Sequence, residues 1–98
     1  MNSMDTLLHL LHSDGADRLK LCVGEPPVVV LDGQPQNLLC SAITTEEAEQ
    51  LFQSIADTRQ RRELRDHGRV EFLYRFRDRA SFVVHAKMEG ENIHMEIH

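Results

Sequence analysis

The segment Gly24-Glu25-Pro26-Pro27-Val28-Val29-Val30-Leu31-Asp32-Gly33-Gln34-Pro35 constrains the fold of this chain more than any other. Proline fixes φ and removes a backbone donor, so Pro26-Pro27 can open a strand but cannot occupy its middle. Val28 to Leu31 then read as a buried strand, and Asp32-Gly33 as a tight hairpin turn that needs positive φ. Upstream, Leu19-Lys20-Leu21-Cys22-Val23 alternates apolar and polar residues with period two, which marks another strand. The spacing predicts strands near 18–23, 27–31 and 35–39.

On either side of this block the period changes to that of a helix. Met4, Leu7, Leu8 and Leu11 recur at helical spacing over 4–13, and Ser13-Asp14-Gly15 stops the run. Thr44 is a good N-cap for a helix from Thr45 to Ala56, with Glu47 placed to complete a capping box. Ala48, Leu51, Phe52 and Ile55 form its apolar stripe. Asp57 or Thr58 caps the next helix, which Gly68 ends where a left-handed cap is favoured. Strands near 69–76, 80–88 and 92–97 complete the chain as a meander, with turns at Arg77-Asp78-Arg79 and Glu89-Gly90-Glu91-Asn92. The expected fold class is α+β, with three helices and about six strands.

Composition narrows the function. Ninety-eight residues suit one domain with one modest core, so residues 1–98 are taken as a single domain. A formal net charge of −5 gives no broad basic surface for nucleic acid. The basic run Arg59 to Arg65 contains Glu63 and is followed by Asp66, which reads as a solvated helix face. Leu7-Leu8-His9-Leu10-Leu11 is too short for a membrane span or the core of a signal peptide. Cys22 and Cys40 make no disulfide framework, and a reduced, cytoplasmic protein is expected.

The order and spacing of these signals resemble the amino-terminal domain of PilT-type ATPases, the motors that retract type IV pili and are related to type II secretion ATPases. The residues that carry the resemblance are Gly15-Ala16-Asp17-Arg18-Leu19-Lys20-Leu21, Gly24, Pro26-Pro27 and Asp32-Gly33. Gly68-Arg69-Val70-Glu71-Phe72-Leu73-Tyr74 and Phe82-Val83-Val84-His85-Ala86 continue it, so that it covers roughly the whole chain. It implies a PAS-like mixed or antiparallel sheet with helices packed on one side.

The family's chemistry lies in a following domain with a Gly-x-x-x-x-Gly-Lys-Ser/Thr phosphate loop. Such a loop needs converging backbone N–H groups and a lysine to neutralise the anion. This sequence contains no Gly-Lys-Ser or Gly-Lys-Thr, and both its lysines, Lys20 and Lys87, lie in strand-like stretches. The resemblance also places arginines toward the nucleotide cleft in an Arg-Phe-Arg-Val-Asn strand. Here the corresponding residues are Ser81, Phe82, Val83, Val84 and His85, and Arg18-Leu19-Lys20 replaces the family's Asp-Leu-His. Serine and valine supply little to a phosphate, so a domain that kept the fold without the nucleotide contacts is expected.

Other clusters have plainer readings. His94, Glu96 and His98 alternate on one strand face and are ligand types that suit zinc. A polar face, with Ile93, Met95 and Ile97 turned to the core, explains them as well. His9 and His12 are i,i+3 neighbours on a half-exposed helix. Cys22 is followed by nothing basic at hand and has no evident activator, and Asp66, His67 and Glu71 straddle a helix end, where such residues are common for local reasons.

The chain is therefore expected to be a non-catalytic interaction or regulatory module and not an enzyme. No catalytic, cofactor-binding or metal-ligating residue is assigned, and no cofactor is expected. The expected partner is a protein, a pilus or secretion ATPase foremost, with no nucleic acid and no membrane span. A monomer or weak homodimer is expected. The alternatives are an excised domain of a longer ATPase and a PAS-like small-ligand sensor, the latter disfavoured by the expectation of a filled aliphatic core.

Overall fold

A computed structural model describes residues 3–13, 15–38, 41–76 and 80–98. The elements run α1 (Met4–Ser13), β1 (Arg18–Leu21), β2 (Val28–Leu31), β3 (Gln34–Asn37), α2 (Thr45–Ile55), α3 (Thr58–His67), β4 (Arg69–Phe76), β5 (Ala80–Glu89) and β6 (Asn92–Ile97). All six strands join one sheet in the order β3-β2-β1-β6-β5-β4, and every neighbouring pair is antiparallel. The fold class is α+β, as the alternation of periods indicates.

Strands β1, β5 and β6 bury every second residue, and the buried set faces the helices. Leu19 and Leu21 of β1 lie opposite Ile97 and Met95 of β6, which in turn face Val84 and Ala86 of β5. All six are buried. From the helices, Met4, Leu7, Leu8 and Leu11 of α1 and Ala48, Leu51, Phe52 and Ile55 of α2 complete this core. Helix α1 packs on α2 and β1, so its apolar stripe belongs to the core.

Local signals set the helix ends. The Thr44 hydroxyl accepts from the Glu47 N–H at 3.1 Å, and the Glu47 carboxylate accepts from the Thr44 N–H at 3.3 Å. Asp57, not Thr58, caps α3, through a second reciprocal pair with Gln60. Only Leu64 of α3 is buried, so this helix depends on its caps more than α2 does. Its C-cap, Gly68, sits at φ +79°, a left-handed conformation that costs an L side chain about 1–2 kcal/mol.

The Asp32-Gly33 turn has positive φ at both residues, 49° and 78°, as a two-residue hairpin requires. Three features differ from the sequence reading. First, β1 ends at Leu21, and Val23 instead makes a parallel bridge to Ile43. The Gly24 N–H donates to Ile43 C=O and the Ile43 N–H to Glu25 C=O, tying the proline corner to the segment that leads into α2. Second, Val28–Leu31 is not buried on both faces: only Val29 is buried, because the side of β2 away from the helices is open. Third, β3 occupies Gln34–Asn37 and is exposed throughout. Leu39, Cys40 and the Arg77-Asp78-Arg79 turn lie outside the described residues.

Candidate functional site

The sheet face away from the helices carries the chain's polar strand residues. The register arranges them in rows. Lys20 of β1 lies opposite Glu96 of β6, Glu96 opposite His85 of β5, and His85 opposite Glu71 of β4. A parallel row runs His94, Lys87, Arg69. Opposite charges in directly facing positions are mutually stabilising, as for Lys20 and Glu96, whereas Lys87 faces Arg69 with like charge.

Glu71 and His85 of the first row form a chain of hydrogen bonds with His98. His85 Nδ1 lies 2.9 Å from a Glu71 carboxylate oxygen, and His85 Nε2 lies 3.0 Å from His98 Nε2. The two imidazole planes are nearly parallel, 12° apart, with centroids separated by 5.1 Å. The centroid separation exceeds the Nε2 separation by about two ring radii, so the rings meet edge to edge in hydrogen-bonding geometry. A carboxylate only accepts, so His85 donates from Nδ1 to Glu71. In neutral His85, Nε2 is then bare and accepts from the Nε2–H of His98.

The strand alternation that groups His94, Glu96 and His98 is present, but their partners lie on other strands. Glu96 accepts from Arg18 at 2.6 Å, His98 meets His85, and His94 lies 3.3 Å from Glu89. Among the described residues, no group of three or more His, Cys, Asp or Glu side chains is placed to hold a metal ion. His9 bonds the Ser13 hydroxyl on the exposed side of α1, and Asp66 lies 3.6 Å from Arg65. The pairing of His85 with His98 went unread in the sequence. The alternation of Phe82, Val84 and Ala86 with Val83, His85 and Lys87 was its one available signal.

These same rows line a broad open depression of about 1190 Å³, with Lys20, Glu71, His85, Lys87, His94 and Glu96 among its walls. The hydrogen bond to Glu89 at 3.0 Å, with that carboxylate's charge, raises the pKa of Lys87, and the same bond lowers that of Glu89. Burial pushes the Cys22 thiol up, and the carboxylates of Glu25 and Glu89 add to the shift. A thiolate is the reactive form, so Cys22 is a poor nucleophile here. In a Cys40→Ser variant, Cys22 is expected to react with a thiol-specific dye near neutral pH more slowly than free cysteine. A labelling rate at or above that of free cysteine would contradict this placement.

The positions where the resemblance has arginines, Ser81 and Val83, lie on this same open face, near its other end. The face thus presents fixed ion pairs and half-exposed valines rather than a converging set of anion donors.

No family model matches the chain, and no curated protein sequence matches it. Solved structures do. The pilus retraction motor PilT, crystallised with ADP, superposes with a TM-score of 0.89 at 21% identity, over 99% of this chain and 29% of the motor's. The Legionella pneumophila ATPase DotB superposes with a TM-score of 0.74 at 22% identity, over 96% of this chain and 26% of its own. The fold is therefore shared with part of these two proteins, and the chain spans less than a third of the length of either.

Proposed function

We propose that this domain is a non-catalytic interaction module that acts in the cytoplasm on a pilus-retraction or secretion ATPase. The observation that carries the reading is the superposition on PilT over 99% of the chain. The absence of a Gly-Lys-Ser/Thr phosphate loop from the sequence, and serine and valine where the resemblance has arginines, support a role without nucleotide chemistry. The open sheet face, with Lys20, Arg69 and Lys87 among its cations, is the surface we assign to the partner.

Binding to the purified ATPase of the same host, followed by fluorescence anisotropy of the labelled domain, tests this. Saturable binding is expected, and an Arg69→Glu/Lys87→Glu variant should weaken it about tenfold or more while keeping its thermal unfolding transition. No binding by the wild-type domain would overturn the reading. A second reading, favoured by the 29% share of PilT, is that these residues are one domain of a longer ATPase-like chain. An immunoblot of the native protein separates the two by size.

A further inference from the structure

We infer that β4 is a self-recognition edge, along which two copies of this chain pair antiparallel about a two-fold axis through Leu73. The inference does not rest on the ATPase reading above. The two ends of the sheet are β3 and β4, and they differ in kind. Strand β3 has four residues, one of them Pro35, which is how natural edges avoid added strands. Strand β4 has eight residues and no proline, and Leu73 at its middle is the one large hydrophobic side chain left exposed among the described residues, at 71%.

The backbone limits how a second copy can fit. The Met88 N–H donates to Gly68 C=O across the β4–β5 ladder. Bonded and non-bonded pairs alternate in an antiparallel ladder, so Val70, Phe72 and Tyr74 turn their amides to β5. Arg69, Glu71, Leu73 and Arg75 turn theirs outward. A second β4 must pair these odd positions with odd positions, which leaves few two-fold registers. Centring on Glu71 sets Glu71 against Glu71, and centring on Phe72 sets Arg69 against Arg75. Centring on Leu73 sets Leu73 against Leu73 and Glu71 against Arg75 twice, with Phe72 beside Tyr74 on the helix side.

Of these three registers, only the last pairs opposite charges and sets the exposed leucine against its own copy. Opposed charges in facing positions favour pairing, and like charges oppose it. Glu71 can serve both partners, since one oxygen holds His85 and a carboxylate accepts at two. A symmetric contact of this kind is self-complementary and closes as a dimer.

Sedimentation equilibrium of the 98-residue chain up to about 1 mM tests the inference. Wild type is expected to associate reversibly into dimers, with the amides of Glu71, Leu73 and Arg75 gaining hydrogen-exchange protection as concentration rises. Glu71→Arg alone and Arg75→Glu alone should each weaken association about tenfold or more, because each creates two like-charge pairs. An equimolar mixture of the two variants restores Arg–Glu pairing at every position and should associate again. A wild type that stays monomeric at about 1 mM overturns the inference. So does association that the single reversals leave unchanged, or a mixture of folded variants that fails to recover it.

Discussion

Replacing Leu7 by Asp is expected to abolish the cooperative unfolding transition of the domain. Leu7 is 2% exposed and lies with Met4, Leu8 and Leu11 on the stripe of α1 that packs on α2 and β1. Removing a buried leucine side chain costs about 2–5 kcal/mol before any charge is considered. Burying a carboxylate with no partner adds several kcal/mol more, or forces the group to take up a proton. Against a total stability of about 5–15 kcal/mol, that sum unfolds a small domain. Leu10, which is only half-buried on the same helix, serves as the comparison: Leu10→Asp should stay folded. Circular dichroism during thermal scans distinguishes the two. A cooperative transition near the wild-type midpoint for Leu7→Asp would mean that α1 is not part of the core.

Phe52→Ala should be the most costly truncation to alanine among the α2 core positions, at about 3–5 kcal/mol. Phe52 is 2% exposed, and its ring meets Phe72 of β4 in a tilted edge contact, with centroids 6.3 Å apart and planes at 66°. The substitution removes that pair and leaves a cavity between α2 and the sheet, which the sheet backbone cannot close. For a chain of this size the melting temperature should fall on the order of 20 °C. Urea denaturation gives the same quantity as a lower midpoint at unchanged slope. A loss below about 1 kcal/mol would show that the ring does not fill the space between helix and strand.

The elements legible in the sequence were those written in local chemistry. Thr44 and Glu47, three residues apart, announce the start of α2, and the reciprocal bonds are there. The alternation of Ile93, Met95 and Ile97 with His94, Glu96 and His98 gives β6 its two faces. What alternation cannot give is the neighbour. Nothing in the spacing of Leu19-Lys20-Leu21 says that Lys20 will lie opposite Glu96, 76 residues further on, because that pairing is decided by long-range packing. For the same reason His98 was grouped with the residues beside it in sequence, whereas its partner is His85 across the ladder. Val28–Leu31 shows the opposite error. An unbroken apolar run suggested burial on both faces, but the helices cover one face of the sheet, and Val28 and Val30 are left half-buried on the other.

The position of β6 between β1 and β5 also bears on how the chain is assembled as it is made. The β1–β2–β3 unit is complete at Asn37 and the β4–β5 hairpin at Glu89, yet neither touches the other within the sheet except through Asn92–Ile97. Until that strand leaves the ribosome, Leu19, Leu21, Val84 and Ala86 have no cover along their inner edges. Two hairpins with open apolar edges are the kind of species that chaperones hold. The central strand is the keystone placed last, and nascent chains stalled with Asn92–Ile97 still inside the exit tunnel should stay protease-sensitive, whereas those carried clear of it by an appended linker should become resistant.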